Sequence, residues 1–188
     1  MDGELPRSKG MDQALVAEAS EAPRAADLAF DRLYRSSRDD LYAYVASLLR
    51  DGAAAEEVTA AAFERAYRKR HRFDPERGEP RAWLFGIARN AALDELRRRG
   101  RQAELTAEPI DLHDFGVAEG AEHSERRLAV SAALERLAPG ERELIALKFF
   151  AGLGNAEIAQ VLGISESNAG TKLHRAMTKL REACDGTV

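Results

Sequence analysis

The chain has 188 residues, 45% of them hydrophobic, with 28 basic against 32 acidic residues and a formal net charge of -4. That length suits one ordinary domain or two small ones with buried cores, and the acidic balance excludes a chain that coats nucleic acid indiscriminately. One cysteine, Cys184, excludes an intramolecular disulfide, no CxxC or HExxH spacing offers a metal site, and no apolar run nears the roughly 18 residues that span a bilayer.

Residues 1–24 are polar, Ala-rich and without sustained periodicity, and are expected to be disordered. The opening MDGELPRSKGMDQ lacks the apolar core of a signal peptide, so a cytoplasmic protein with no membrane insertion is expected. From Ala25 to Arg50 the positions Leu41, Tyr44, Val45, Leu48 and Leu49 recur at helical spacing, and Asp51-Gly52 ends the pattern. A second helix follows, with Val58, Ala62, Phe63, Ala66 and Tyr67 on one side. HRFDPERGEPR then brings two prolines and a glycine, which forbid continuous helix and predict a loop, with Pro80 placed to start the next helix.

Trp83, Leu84, Ile87, Ala88 and Ala91 carry that helix into DELRRRGR. Residues 102–124 break the periodicity, contain Pro109, Gly116 and Gly120, and read as a linker. Helices resume at SERRLAVSAALERL and GERELIALKFF and finish in AEIAQVLGISESNAGTKLHRAMTKLRE, two helices with a hard stop between them. No alternating strand pattern is present. The expected fold class is all-α: two small helical domains, 25–101 and 125–188, joined by an acidic flexible linker.

Charge is unevenly spread. Arg65 to Arg101 holds twelve Arg/Lys against five Asp/Glu, whereas Gln102 to Glu125 holds seven acids and no Lys or Arg. In the basic block Arg81, Arg89, Arg97, Arg98, Arg99 and Arg101 lie on or just beyond one helix, near the aromatics Phe73, Trp83 and Phe85. Arginines beside aromatic rings suit a single strand, whose phosphates they neutralise while an unstacked base rests on a ring. The competing reading is a solvated arginine face, and Trp83 by itself reads as core.

The last two helices have the spacing of a helix-turn-helix, with Ala159, Gly163 and Ala169 at the crossing and turn. With Ala169, Leu173, Ala176 and Leu180 facing inward, Ser167, Thr171, His174, Arg175 and Thr178 face outward. Ser167, Asn168 and Thr171 are then candidate base readers, with Lys172 and Arg175 as phosphate anchors. A helical hairpin with a solvated face is the plainer alternative.

Taken together, FERAYRKRHRFDPERGEPRAWLFGIARNAALDELRRRGR, a linker, and LERLAPGERELIALKFFAGLGNAEIAQVLGISESNAGTKLHRAMTKLRE resemble the extracytoplasmic-function sigma factors of bacterial RNA polymerase, over residues 28 to 182. The resemblance implies that the first domain binds the polymerase clamp through the helix holding EEVTAAAFERAY, which places Glu56, Glu57, Val58, Phe63 and Arg65 at that contact. It implies that the same domain melts the minus-ten element, the loop between His71 and Arg81 forming the pocket for a flipped base with Asn90 behind it; Phe73, Arg81, Arg97, Arg98, Arg99 and Arg101 are then the candidates for binding and melting that DNA. Extruding a base costs a few kcal/mol of unstacking, which such a pocket offsets. The second domain would read the minus-thirty-five element, with Arg142 on a phosphate.

Core RNA polymerase (clamp and flap), promoter DNA and an anti-sigma factor are the partners so implied. Two departures stand out: Ala60-Ala61-Ala62 replaces the usual Gln-Glu before the Phe of the clamp helix, and Gly170 interrupts the start of the recognition helix. Such a glycine costs about 1 kcal/mol of helix stability. Elsewhere, GLGNAE lacks the third glycine and preceding strand of a phosphate-binding fingerprint, the four histidines are scattered, and Cys184 reads as inert. No catalytic constellation, cofactor or small-molecule substrate is expected. The alternative function is a response-regulator-type (LuxR-like) activator, which would need alternating strands and helices in the first 124 residues.

Overall fold

The computed structural model describes residues 9–106 and 130–185, with side chains over 26–101 and 130–185. Every regular element among the described residues is helical: α1 (Lys9–Leu49), α2 (Gly52–Lys69), two 3₁₀ turns (Arg70–Arg72 and Pro75–Arg77), α3 (Pro80–Thr106), a helical segment α4 (130–135), α5 (Pro139–Phe149), α6 (Asn155–Leu162) and α7 (Glu166–Asp185). Residues 107–124 of the expected linker lie outside the described residues.

Two boundaries differ from expectation. α1 begins at Lys9, inside the segment expected to lack structure, and α3 continues to Thr106, past the expected linker start. Both extensions are rich in Ala, Glu, Leu and Gln, whose intrinsic helix preference does not depend on an apolar face. Periodicity reports burial, so it is blind to helix of this kind.

The α1–α2 junction is built by different residues from those the pattern indicated. Arg50, not Gly52, takes the left-handed conformation, with φ 51°, and its N–H closes on Ala46 O at 2.9 Å. That geometry costs an ordinary residue about 1–2 kcal/mol; here the Arg50 guanidinium is held by Glu135 at 3.0 Å. Asp51 is the N-cap of α2, its Oδ1 accepting the Ala54 N–H at 3.0 Å. Pro80 occupies the first position of α3, where its missing N–H costs nothing.

The two halves share one core. A single buried cluster contains Leu41, Tyr44 and Val45 of α1, Ala62 and Phe63 of α2, Leu84, Phe85 and Ala88 of α3, Leu144 and Leu147 of α5, and Ile158 and Val161 of α6. A smaller cluster of Leu137, Ile145 and Ala176, with Leu134, Met177 and Leu180 around it, seats α7 on α5. The expectation of two helical domains with a tether between them therefore needs an addition: α3 packs directly on α6, and α1 on α5.

Candidate nucleic-acid interface

The helix-turn-helix is built from caps and one crossing. The Glu157 carboxylate accepts the Gly154 N–H at 2.8 Å to start α6, and Gly163 ends it in the left-handed conformation at φ 67°. Ser165 Oγ accepts the Asn168 N–H at 3.3 Å at the head of α7. α7 buries Ala169, Leu173 and Ala176, while Ser167, Asn168, Thr171, Lys172, His174 and Arg175 are exposed. Thr178 is half-buried. Lys172 and Arg175 have no ion-pair partner among the described residues.

Thr171 Oγ1 donates to Ser167 O at 2.9 Å. Its proton is thus spent within the helix, and its lone pairs and methyl group face outward. Gly170 lies where α7 crosses the start of α6, but a Cβ there would stand 3.4 Å from Asn155 Nδ2, an ordinary contact, so the crossing does not require a glycine. Arg142 is half-buried on α5, and Lys179 pairs with Glu141 to tie α7 to α5.

In the first half the arginines divide by partner. Arg97 is exposed and pairs locally with Asp94 at 2.7 Å; Arg101 and Asn90 are exposed. Arg98 binds Glu95 at 2.7 Å, and Arg99 bridges Glu95 at 2.7 Å and Asp51 at 3.0 Å. These guanidiniums hold the Glu95 carboxyl down at about 2, the Arg98 hydrogen bond contributing most. The Asp51 carboxyl is also lowered, first by the Ala54 N–H. Arg99 therefore joins α3 to the cap of α2, a pairing the sequence did not indicate.

Arg81 is also engaged. Its Nη2 donates to Asp40 Oδ2 at 2.6 Å and to Ala151 O at 2.5 Å, and its Nη1 to Ser36 O at 3.1 Å. Phe85 is fully buried, 5.6 Å from Tyr44, and has no face left for a base. Trp83 packs on the core, with half-buried Phe73 5.4 Å from it. Of the three aromatics beside the arginines, Phe73 is the one on the expected loop.

On the proposed clamp helix, Glu56, Glu57 and Arg65 are exposed and Val58 is half-buried, whereas Phe63 is buried in edge contact with Tyr34 at 4.7 Å. A groove of about 750 Å³ runs between α1 and α2, lined by Tyr34, Arg38, Tyr42, Glu56 and Ala60 among others. Thr59 also lines it, with a buried Oγ1 that has no hydrogen-bond partner among the described residues. Ala60 stands on this groove, so the departure from the family pattern falls on its wall.

One group escaped the sequence reading. Glu143 is 8% exposed, and its Oε1 accepts from Tyr44 Oη at 3.2 Å and from Arg89 Nε at 2.6 Å, while Arg89 Nη2 reaches Oε2 at 3.2 Å. Burial, and then the charge of Glu143, push the Tyr44 hydroxyl well up, and the hydrogen bond to Glu143 raises Arg89. A signal was present: in GERELIALKFF the carboxylate of Glu143 sits directly beside Leu144 and Ile145, within the buried stretch of the helix.

Residues 33–102 match the family Sigma-70 region 2, and residues 127–180 match Sigma-70, region 4; together they cover more than half of the chain. The ECF RNA polymerase sigma factor SigK of Mycobacterium ulcerans is 29% identical over 191 residues, spanning 100% of both chains. Among solved structures, the sigma factor RpoE of Bartonella quintana, solved with the anti-sigma factor NepR, shares the fold at a TM-score of 0.70 and 23% identity, over 83% of this chain and 96% of that one. CnrH, solved with the cytosolic domain of CnrY, matches at a TM-score of 0.64 and 26% identity, over 89% of this chain and 96% of that one. With both regions present in order on one helical fold, the chain belongs to the sigma-70 family, among its extracytoplasmic-function RNA polymerase sigma factors.

Proposed function

We propose that the chain is an alternative sigma factor that joins core RNA polymerase and directs it to a set of promoters. The observation that carries this is the coexistence of two matched regions in the family order, 33–102 and 127–180, with an α7 whose outer face is polar and open. In this reading residues 25–101 bind the clamp and separate the minus-ten strands, residues 125–188 read the minus-thirty-five element and meet the flap, and the acidic segment connects them. Glu56, Glu57 and the α1–α2 groove serve the clamp. Phe73, Asn90, Arg97 and Arg101 serve the melted strand; Ser167, Asn168, Thr171, Lys172, Arg175 and Arg142 serve the upstream duplex.

The protein is a non-catalytic initiation factor that works where the polymerase is, in the cytoplasm. Among the described residues no helix is long and apolar enough to cross a membrane. Likeness to CnrH, solved in complex with the cytosolic domain of CnrY, supports a protein partner that binds this chain directly, and the anti-sigma factor implied by the family resemblance is our reading of it. The response-regulator alternative is not favoured, because every regular element among the described residues of the first half is helical and that half matches Sigma-70 region 2.

The test is reconstitution. Purified chain added to core polymerase should co-purify with it and yield a reproducible set of transcript starts sharing two sequence elements. Starts that are unchanged by adding the chain would remove the reading.

A further inference from the structure

Two threonines on the outward stripe of α7 have turned their hydroxyl protons into the helix. Thr171 Oγ1 donates to Ser167 O at 2.9 Å, and Thr178 Oγ1 donates to His174 O at 3.1 Å. A hydroxyl whose one proton is held by a carbonyl of its own helix presents only lone pairs to anything outside. Thr171 is exposed in the first turns of the helix, whereas Thr178 is half-buried two turns further on.

The residue that opens α7 is of the same kind. Glu166 is exposed and has no hydrogen-bond or ion-pair partner among the described residues. Its carboxylate accepts and does not donate. The positions three and four further on, where a cation would pair with it along the helix, hold Ala169 and Gly170. Lys172 and Arg175 lie roughly 120° and 180° round the helix from it, at about 100° per residue. The stretch SESNAGT, from Ser165 to Thr171, contains no Lys or Arg.

We propose that Glu166 is a base-reading residue and that, together with Thr171, it makes α7 a reader of exocyclic amino groups: cytosine N4 at the carboxylate, and adenine N6 or cytosine N4 at the threonine. The proposal rests on the reading of α7 as the helix that enters the upstream duplex.

The major groove supplies the discrimination. Cytosine N4 and adenine N6 are its donors, whereas guanine O6 and N7 and thymine O4 are acceptors. A carboxylate set against an acceptor loses its water and gains no hydrogen bond. Adenine carries N7 beside its amino group and so opposes a carboxylate in part; cytosine has no second acceptor on that edge. The common guanine contact is made by Arg or Lys, and neither occurs before Lys172. A carboxylate in the groove also repels phosphate, so Glu166 weakens binding to every sequence while weakening it least where an amino group meets it. Its contribution is discrimination by penalty, and Lys172 and Arg175 on the other flank provide attraction.

An acid in the first turn of a helix also complements the helix dipole. Base preference separates that role from reading. The full chain is combined with core polymerase, and the holoenzyme binds duplex promoter fragments, taken from its own transcript starts, with the upstream element randomised. Bound and unbound fragments are sequenced for wild type, Glu166→Gln, Thr171→Val and Thr171→Ser. Wild type should favour a C·G pair over T·A at one position by about tenfold, the order of a single good base contact. Glu166→Gln, whose amide donates as well as accepts, should reduce that preference to within about twofold and bind the T·A fragments more tightly than wild type. Thr171→Val should abolish a preference for an amino-bearing base at a second position, and Thr171→Ser should retain it.

Base analogues assign the atom. With 2-pyrimidinone in place of the preferred cytosine, the N4 amino group is gone and wild-type binding should fall about tenfold. With 7-deazaguanine in place of its partner, the guanine N7 acceptor is gone and binding should be unchanged. The reverse result overturns the proposal, because it places a donor of the protein on guanine. A base profile that Glu166→Gln and Thr171→Val leave unchanged overturns it too, and a lowered thermal midpoint alongside that unchanged profile assigns Glu166 to the dipole alone. A wild-type holoenzyme with no base preference anywhere in the upstream element removes the reading of α7 as a duplex reader, and the proposal with it.

Discussion

Arg99 and Asp51 stand 48 residues apart in the chain, and Arg99 Nη2 donates to Asp51 Oδ2 at 3.0 Å while Oδ1 of the same carboxylate accepts the Ala54 N–H at 3.0 Å. One guanidinium therefore steadies the capping residue of α2 from the far end of α3. Two arginines away, Arg97 has, among the described residues, only a neighbour on its own helix for a partner.

This pair separates stability from DNA contact within one basic run. Arg99→Ala should lower the thermal midpoint by about 2–4 °C, the shift expected of a loss near 1 kcal/mol in a chain of this size. Arg97→Ala should leave the midpoint within about 1 °C, as exposed local pairs contribute little. The same Arg97→Ala should weaken promoter binding by the holoenzyme and reduce its salt dependence. Melting curves and a salt titration of both variants check this; equal midpoints would remove the distinction.

The Glu95 and Asp51 carboxyls make stability fall in acid. Glu95 is lowered from 4.5 to about 2, so its contribution is fully present above pH 4.5 and is lost as pH falls toward about 2. Asp51 is shifted in the same direction. The thermal midpoint of the wild-type chain should therefore drop through this window. Glu95→Gln should have a lower midpoint at neutral pH and a shallower acid limb, and a limb as steep as wild type would show that other carboxylates set it.

Two glycines should respond oppositely to alanine. Gly170→Ala meets only the end of the Asn155 side chain at 3.4 Å and sits in a helix, so it should stabilise by about 0.5–1 kcal/mol. Gly78→Ala meets Gln160 at 2.2 Å and must also adopt φ 140°, so it should destabilise. Adding Gln160→Ala should relieve the collision and leave the backbone cost in place. Urea denaturation of the four proteins decides, and a destabilised Gly170→Ala would mean that the α6–α7 crossing tolerates no Cβ.

On α7, Thr171→Ala should alter preference at one or two base pairs of the upstream element, by roughly 1–3 kcal/mol, because its outward acceptor and methyl group suit a base edge. Arg175→Ala, one turn further on, should weaken all sequences alike and flatten the salt dependence by about one unit of slope. Titrations of the holoenzyme across upstream variants at two salt concentrations separate the two. If neither substitution changes preference or slope, α7 does not enter the groove.

The order of helices was legible in the sequence because helical burial is local. Leu41, Tyr44 and Val45 repeat every three or four residues, Pro80 can only open a helix, and Gly163 takes the left-handed stop between α6 and α7. The buried stripe of α7, Ala169, Leu173 and Ala176, follows from the same periodicity. Family motifs added the likeness to a sigma factor, since two blocks in order are far more specific than either alone.

What an arginine is for was not legible in the sequence. Arg81, Arg89, Arg97 and Arg99 are chemically identical in a one-dimensional reading, yet their partners are Asp40 and Ala151 O, Glu143, Asp94, and Asp51 with Glu95. A guanidinium on a flexible stem binds whichever anion the fold brings within about 3 Å, a carboxylate or a phosphate, and it matches the geometry of both. The sequence determined the helices and their apolar faces. Tertiary structure decided that the two halves share a core, that Glu143 is buried between them, and which arginines remain free, because those pairings join residues 41 to 99 positions apart and carry no local period.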